Sequence, residues 1–285
     1  MRSYPVGVKA WKKMTKCLNC GNEFEGQFCP ECGQKADTGR FTMRFILENM
    51  VTAILGRDGG VWFTLKNLFS RPGAMVLDIL NGKRKKYFSP FPMLFFALTL
   101  YILITSFTSG FVLNEAFDEL MITDMEQDPE FGEETHKEAT MAFMRLFQQG
   151  VAFFSNHYTL CYLLTLPLLV VAARACFGKS NRKRYYWAEY IIAVVYASVI
   201  VVLFRCLVKL VYPFAPDLSM TIGLLIAPLV IIPALTACFR KMLGFNVAKT
   251  AWRSTLTFIL YYQMLGVLVL IGLVVLAIIY VHKNG

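Results

Sequence analysis

Eight cysteines divide into two groups, and one group has the spacing of a metal site. Cys17 and Cys20 form one Cys-x-x-Cys pair, and Cys29 and Cys32 form a second pair after eight intervening residues. Each short turn can present two thiolates to one ion, and two such turns close a tetrahedral site without an open position. The pattern predicts one structural Zn2+ bound by all four cysteines, as in the zinc knuckles of zinc ribbon domains.

Two other interpretations of these four cysteines are weaker. A disulfide framework is disfavoured by the cytoplasmic location that the charge distribution predicts. A thioredoxin-like redox pair would explain one Cys-x-x-Cys but not two. Four thiolates also leave no water position on the metal, so we expect a scaffold or contact surface rather than catalysis.

A second group of residues places positive charge inside an apolar segment. Arg205 and Lys209 are four residues apart and share one helical face. Charged side chains inside a bilayer are costly and by default suggest a functional site. Two interpretations stand: both residues anchor their helix at the outer headgroups, or they line an intramembrane site together with Gln263.

A run of four basic residues, from Lys83 to Lys86, precedes the first long apolar segment. Each basic residue near an anionic leaflet contributes about 1 kcal/mol to membrane attraction. We therefore expect Lys83, Arg84, Lys85 and Lys86 to contact anionic lipids of the cytoplasmic leaflet. Nucleic-acid binding is the rival interpretation, and it is disfavoured because membrane apposition already explains the basic residues.

The composition predicts a membrane protein. Hydrophobic residues make up 56% of the 285 residues, mean hydropathy is +0.50, and charged residues make up only 17%. This composition disfavours a soluble enzyme, because about 25% of the residues of soluble domains are charged. Apolar runs of about 20 residues, the length that crosses a bilayer, occur over 91–112, 158–177, 188–212, 220–239 and 256–281.

The distribution of basic residues predicts the orientation of these five helices. Residues 1–90 contain 15 of the 29 Lys and Arg residues, and nine more lie in the loops after the second and fourth spans. Because basic loops stay in the cytoplasm, we expect a cytoplasmic N-terminus and an external C-terminus. The acidic loop 114–157 then faces outward, as a solvated segment or, alternatively, as a divalent-cation site.

Short elements are also predicted between the cysteines and the first span. Apolar residues recur at helical spacing over 43–55, which indicates an amphipathic helix. A second helix is expected from Trp62 to Ser70. Arg71-Pro72-Gly73 marks a turn, with Pro72 as the first residue of a third helix that runs to Leu80.

The motifs of this region resemble those of a known family. They comprise the double knuckle followed by Gln34, then Gly60-x3-Thr64-Leu65-x2-Leu68-x2-Arg71-Pro72-Gly73, and then Gly82-Lys83-Arg84-x2-Tyr87-x2-Pro90. Over residues 17–105 the chain is similar to an uncharacterised bacterial membrane-protein family, common in the Bacteroidetes, with an N-terminal zinc ribbon and several spanning helices. The resemblance implies a bacterial cytoplasmic (inner) membrane and supplies no reaction or catalytic residue. Ile79 stands where the resemblance leads us to expect an aromatic residue.

The predicted fold class is an all-α polytopic membrane protein of five transmembrane helices with a small N-terminal zinc ribbon. Its parts are a basic tail (1–16), the four-cysteine ribbon (17–35), amphipathic linker helices (36–90) and the transmembrane domain (91–285). We find no nucleophile-and-base arrangement, Walker A or dinucleotide motif, so catalysis is not expected. The favoured function is a membrane-anchored adaptor or sensor whose ribbon docks a cytoplasmic protein. The alternatives are a small-molecule or lipid transporter that uses Arg205 and Lys209, and, with least support, an intramembrane enzyme.

Overall fold

The computed structural model describes residues 14–38, 40–43, 60–108, 157–181, 185–211 and 213–284. The predicted helix over 43–55 and the acidic loop 114–157 lie, apart from their terminal residues, outside the described residues. The same holds for most of the basic tail.

The N-terminal part has very little regular structure. Strands β1 (Thr15–Lys16) and β2 (Glu23–Phe24) pair antiparallel, with Thr15 opposite Phe24. An isolated bridge joins Phe28 and Lys35. The buried residues of this unit are Cys17, Phe24 and Cys29, with Cys32 and Ala36 packed against them. So small an apolar core cannot offset the entropy of ordering the chain, and the unit therefore needs another source of folding free energy.

The remaining described residues are mostly helical. The helices are α1 (Val61–Ser70), α2 (Pro72–Leu80), α3 (Pro90–Thr108), α4 (Tyr158–Asn181), α5 (Trp187–Val211), α6 (Pro216–Leu243) and α7 (Val247–Asn284). The predicted helix over 62–70 and the start of α2 at Pro72 are confirmed. Pro72 suits the first turn of a helix because it has no N–H to leave unpaired there.

Four helices are long and apolar enough to cross a membrane: Pro90–Thr108, Tyr158–Gly178, Trp187–Val211 and Val247–Gly272. They correspond to the first, second, third and fifth predicted spans. The fourth predicted span, 220–239, falls within α6, which has 28 residues; the side chains of 216–227 are not described. The structure thus supports a membrane protein with four candidate spans, and the fifth stays a prediction.

Helix α5 is the centre of the helical bundle. It packs against α3, α4 and α6, while α7 packs against α4 and α6. About two thirds of the most apolar 18-residue stretch of α5 is buried inside the protein. For the corresponding stretch of α7 the buried share is 6%. Small residues on α5, including Ala193, Ala197 and Ser198, are fully buried. Small side chains let neighbouring helices approach closely, which explains why α5 takes the central position.

Several contacts bring the end of α4, the start of α5 and the end of α6 together. The ring of Phe177 stacks on Phe239 at 4.6 Å between centroids, and Tyr190 lies 5.7 Å from Phe239. Tyr185 donates a hydrogen bond to the backbone carbonyl of Met242. Helix α2 lies against the same end of α6. The end of α4, the start of α5 and the end of α6 therefore lie together at one end of the bundle.

Gly73 has a packing role in addition to its place at the turn into α2. It lies inside α2, where it is buried against α6. A Cβ at this position would overlap the backbone carbonyl oxygen of Ala237 and would lie 3.0 Å from Cβ of Lys241. The glycine is thus required for the close approach of two helices.

We expect Gly73→Ala to destabilise the bundle by about 1–3 kcal/mol, because backbone atoms cannot yield as a side chain can. Thermal unfolding of the purified protein would measure the change. The matched control is Gly266→Ala on α7, where a Cβ would meet nothing within 4 Å; in that helix alanine should be neutral or stabilising. Equal behaviour of the two variants would contradict the close-packing role.

Candidate metal centre and its contact with the helical bundle

The four predicted ligands form one cluster. Their Sγ atoms all lie within 4.8 Å of one another, with 3.5 Å between Cys17 and Cys32 and 3.5 Å between Cys20 and Cys29. A tetrahedron with metal–sulfur bonds of about 2.3 Å has edges of about 3.8 Å, so the cluster fits a single tetrahedral ion. All four are free cysteines. The disulfide alternative is therefore not observed, and the cluster is compatible with a metal site.

The two Cys-x-x-Cys turns have the same backbone structure. In the first, the N–H of Gly21 donates to the carbonyl of Cys17 at 2.9 Å; in the second, the N–H of Gly33 donates to Cys29 at 2.8 Å. Both glycines have positive φ, +83° and +70°. This left-handed conformation favours glycine because a Cβ would crowd the backbone. The repeated turn explains why glycine follows each pair.

Backbone amides in the second turn favour the thiolate that a metal needs. Burial by itself raises the pKa of the Cys29 thiol, but hydrogen bonds from the amides of Cys32 and Glu31 lower it, to about 7. The amide of Asn22 likewise favours the Cys20 thiolate; burial and thiol hydrogen bonds from Cys29 outweigh it and raise the Cys20 pKa to about 12. Four thiolates this close together would repel one another, so a bound cation would stabilise the deprotonated cluster.

Gln34 connects the cluster to the rest of the protein. Its side chain is 3% exposed, and its carbonyl oxygen accepts hydrogen bonds from the backbone amides of Arg84 at 3.1 Å and Lys85 at 3.3 Å. The backbone N–H of Cys29 donates to the backbone carbonyl of the same glutamine. One residue thus joins the second cysteine turn to the loop between α2 and α3.

Arg84 lies within this contact. Its guanidinium lies 3.8 Å above the ring of Phe41. Burial lowers the pKa of Arg84 to about 10, although Asp37 opposes the shift. Arg84 thus belongs to the contact between ribbon and bundle. Of the four predicted lipid-contact residues, Lys86 is exposed and lies 5.4 Å from the ring of Phe63.

Lys83 has a partner within the same loop. Its Nζ donates to Asp78 at 2.8 Å, and the hydroxyl of Tyr87 donates to the other oxygen of that carboxylate at 2.9 Å. Burial would raise the pKa of Asp78, but these two hydrogen bonds lower it below its usual value. Burial and the neighbouring carboxylate raise the pKa of Tyr87 to about 12. The motif residues Gly82 to Tyr87 therefore close this loop onto α2.

Gly82 meets the ribbon directly. Its φ is +100°, and a Cβ there would lie 2.6 Å from Cδ1 of Leu18, which is in the first cysteine turn. We expect Gly82→Ala to cost about 1–2 kcal/mol from backbone conformation alone, with a further loss from displacing the ribbon. Hydrogen exchange of the ribbon amides, with thermal unfolding, would measure both effects.

A second substitution separates these two losses. Leu18→Ala combined with Gly82→Ala removes the clash but keeps the strained backbone, so exchange protection in the ribbon should recover in part. Gly60→Ala is the control, because its nearest contact would be 3.9 Å away. Unchanged exchange in Gly82→Ala would contradict the contact.

An ion pair makes a further link between the ribbon side and the bundle. Arg40 donates through Nε and Nη2 to the two carboxylate oxygens of Glu189, at 3.1 Å and 3.0 Å, and its guanidinium stacks 4.3 Å above Tyr186. The Glu189 side chain is 4% exposed and that of Arg40 is 50% exposed. The backbone N–H of Tyr186 also donates to Glu189 at 2.7 Å.

The pair of Arg40 and Glu189 was not predicted from the sequence. A signal was present, because Glu189 is the only acidic residue between Glu138 and Asp217 and it stands at the start of an apolar segment. Such an isolated carboxylate needs a partner. Its partner lies 149 residues earlier in the chain, and no local pattern indicates a contact over that separation.

The predicted intramembrane residues separate in the structure. Arg205 lines a cavity among α4, α5, α6 and α7. Lys209 is half-buried one turn further along α5. Gln263 is on an exposed face of α7 and does not line the cavity, whereas its neighbours Tyr261 and Tyr262 do. Gln263 thus does not share the cavity with Arg205 in this structure, and an intramembrane site formed by Arg205, Lys209 and Gln263 stays a prediction.

A family model described as a protein of unknown function (DUF3667) matches residues 58–102. No curated protein and no solved structure matches the chain. The matched segment contains α1, α2, the loop that receives the ribbon and the first part of α3. Its motif residues have structural contacts: Thr64 accepts a hydrogen bond from the amide of Phe88 at 2.7 Å, and Tyr196 donates to the carbonyl of the same residue. Over this segment the chain is similar to a family of unknown function.

Proposed function

We propose that the protein is a membrane-anchored adaptor whose four-cysteine ribbon holds one structural Zn2+ and docks a protein partner in the cytoplasm. The observation that carries the proposal is a four-cysteine cluster attached to the bundle through Gln34 and Gly82. A metal with four cysteine ligands has no open position for substrate. The cluster therefore suits a rigid contact surface better than a reaction centre.

Zinc is the proposed ion because tetrahedral sulfur sites favour zinc or iron, and zinc has no redox chemistry that would limit a scaffold. The ribbon has a small apolar core, so metal binding would supply the free energy that orders it. The distribution of Lys and Arg supports a cytoplasmic ribbon, and the resemblance over residues 17–105 implies the inner membrane. In this proposal Lys85 and Lys86 contact anionic lipids beside the ribbon, and the exposure of Lys86 supports that role.

The exposed face of the ribbon favours a protein as the partner. Phe28 is 60% exposed and Met14 is 58% exposed. Large apolar side chains exposed on a small rigid unit are typical of docking positions. Phe28 lies between the cysteine turns but contributes no metal ligand, so it can be changed without altering the cluster.

The test is crosslinking in native membranes followed by affinity capture of the full-length protein. Wild type, Phe28→Ser and the double variant Cys17→Ser/Cys32→Ser would be compared. We expect one protein neighbour in wild type that is lost from both variants, while Phe28→Ser keeps its zinc. Capture of the same proteins by all three variants would overturn the adaptor role. The control is Phe107→Ser, an exposed residue near the opposite end of α3.

A further inference from the structure

A cavity of about 200 Å³ lies within the helical bundle, away from the cysteine cluster. Its polar lining consists of tyrosines, a threonine and one arginine: Tyr158, Tyr162, Thr165, Arg205, Tyr261 and Tyr262. The rest of the lining is apolar apart from Cys161. Among the described residues of the lining, Arg205 is therefore the single charged one.

Arg205 has no anionic partner among the described residues. Its guanidinium lies 4.9 Å above the ring of Tyr158, and its Nε is enclosed without a hydrogen-bond partner in that part of the chain. The next charged group along α5 is Lys209, which is also positive. Enclosing an uncompensated positive charge is costly, so the arrangement favours an anion beside the guanidinium.

Hydroxyl groups add to this preference. The hydroxyl of Tyr158 is enclosed and has no partner within the described residues. The hydroxyl of Tyr261 bonds Thr165 at 3.1 Å, on the same wall. A guanidinium presents several N–H donors in a planar fork that matches the oxygens of phosphate, and a tyrosine O–H supplies one more. Phosphate is therefore the anion whose oxygens these donors fit best.

The surroundings distinguish a lipid phosphate from a free one. Arg205 is six residues before the end of α5, about 9 Å along the helix axis at 1.5 Å per residue. Leu169, Val201 and Ile231 line the cavity beside it. Tyr262 both lines the cavity and is 42% exposed on the side of the bundle. A hydrated free phosphate would lose water contacts against apolar walls, whereas a lipid brings an acyl chain that they suit.

We propose that this cavity binds the phosphate group of an anionic phospholipid, held by Arg205 and the hydroxyl of Tyr158, with the start of an acyl chain against the apolar wall. The lipid enters from the side, past Tyr262. This site is independent of the ribbon and its metal, so either proposal can fail alone.

Native mass spectrometry of the full-length protein in detergent tests the proposal. Phosphatidylglycerol, phosphatidylcholine and inorganic phosphate are added separately to wild type, Arg205→Gln and the control Arg240→Gln, which removes the same charge from an exposed position on α6. We expect wild type and Arg240→Gln to bind phosphatidylglycerol preferentially. Arg205→Gln should bind it about tenfold more weakly, as loss of a charge-assisted hydrogen bond implies.

Two further variants keep the test informative if Arg205→Gln fails to fold. Tyr158→Phe removes only a hydroxyl and should weaken phosphatidylglycerol binding about threefold. Arg205→Lys keeps the positive charge but loses the planar guanidinium, so its affinity for phosphatidylglycerol should lie between those of wild type and Arg205→Gln. Unchanged phosphatidylglycerol binding in all Arg205 and Tyr158 variants would overturn the site. Displacement of the lipid by an equal concentration of inorganic phosphate, or equal binding of phosphatidylcholine, would overturn the lipid assignment.

Discussion

Replacing Cys17 and Cys32 together by serine is expected to abolish metal binding and unfold the ribbon, while the helices remain inserted. The two residues contribute one ligand from each turn, and their Sγ atoms are 3.5 Å apart. Structural zinc supplies about 10–16 kcal/mol of apparent binding free energy near neutral pH. The ribbon's core of three buried residues cannot replace that amount.

The measurement is the zinc content of the purified protein, with proteolysis of the ribbon as the test of folding. We expect one zinc per wild-type chain and none in the double variant. Cys161→Ser/Cys176→Ser is the control, because these cysteines lie in α4 and are not part of the cluster. Full zinc retention in the Cys17→Ser/Cys32→Ser protein would show that the four cysteines are not the ligands.

The same site predicts a pH dependence with a definite sign. Zinc binds thiolates, so protons compete with the metal as the pH falls. Zinc binding stabilises the folded ribbon fully above the ordinary thiol pKa of about 8.5. Below that pKa the stabilisation lasts only while zinc outcompetes protons for the sulfur atoms. Titration from about pH 8 to about pH 5 should therefore release zinc and expose the ribbon to protease. Tighter binding at low pH would contradict thiolate ligation.

Arg40→Leu is expected to destabilise the junction between the ribbon side and the bundle by about 3 kcal/mol, because it leaves a buried carboxylate without its partner. We place the effect at the low end for a buried pair, since the Arg40 side chain is 50% exposed and solvent screens part of the interaction. Glu189→Leu should cost less, because it leaves a half-exposed arginine that water can solvate.

A double-mutant cycle isolates this interaction. Thermal unfolding of Arg40→Leu, Glu189→Leu and the combined variant would be compared, and the combined variant should be more stable than Arg40→Leu alone. The control is Lys83→Gln, which breaks the more exposed pair with Asp78, whose side chains are 42% and 24% exposed. That variant should lose about 1 kcal/mol or less. An Arg40→Leu protein as stable as Lys83→Gln would contradict the buried pair.

Part of this molecule is determined by local sequence alone. The cysteine cluster could be predicted because two short turns carry their own ligands, and a glycine after each pair supplies the positive φ. The helices α1 to α7 could be predicted because apolar content and helical spacing are properties of adjacent residues. Pro72 marked the start of α2 for the same reason.

The contacts between these elements were decided by tertiary structure. Gly73 resembles a turn residue in sequence, and only the packing of α2 against α6 shows that a side chain there would overlap the backbone of Ala237. Arg84 belongs to a basic run, yet its guanidinium lies against Phe41. The ribbon and the residues that follow it fold back onto the loop between α2 and α3, which contains Arg84. Local composition describes the type of residue but not the surface that it will meet.

The membrane residues show the same division. Sequence alone indicated that Arg205 was an unusual charge in a span, but only the packing of four helices enclosed it in a cavity and turned Gln263 away. Arg40 and Glu189 meet across 149 residues, a pairing that depends on where the start of α5 lies relative to the ribbon. Element type follows from short-range periodicity, whereas partner choice follows from the packing of whole helices, and that packing depends on side-chain volumes far apart in the chain.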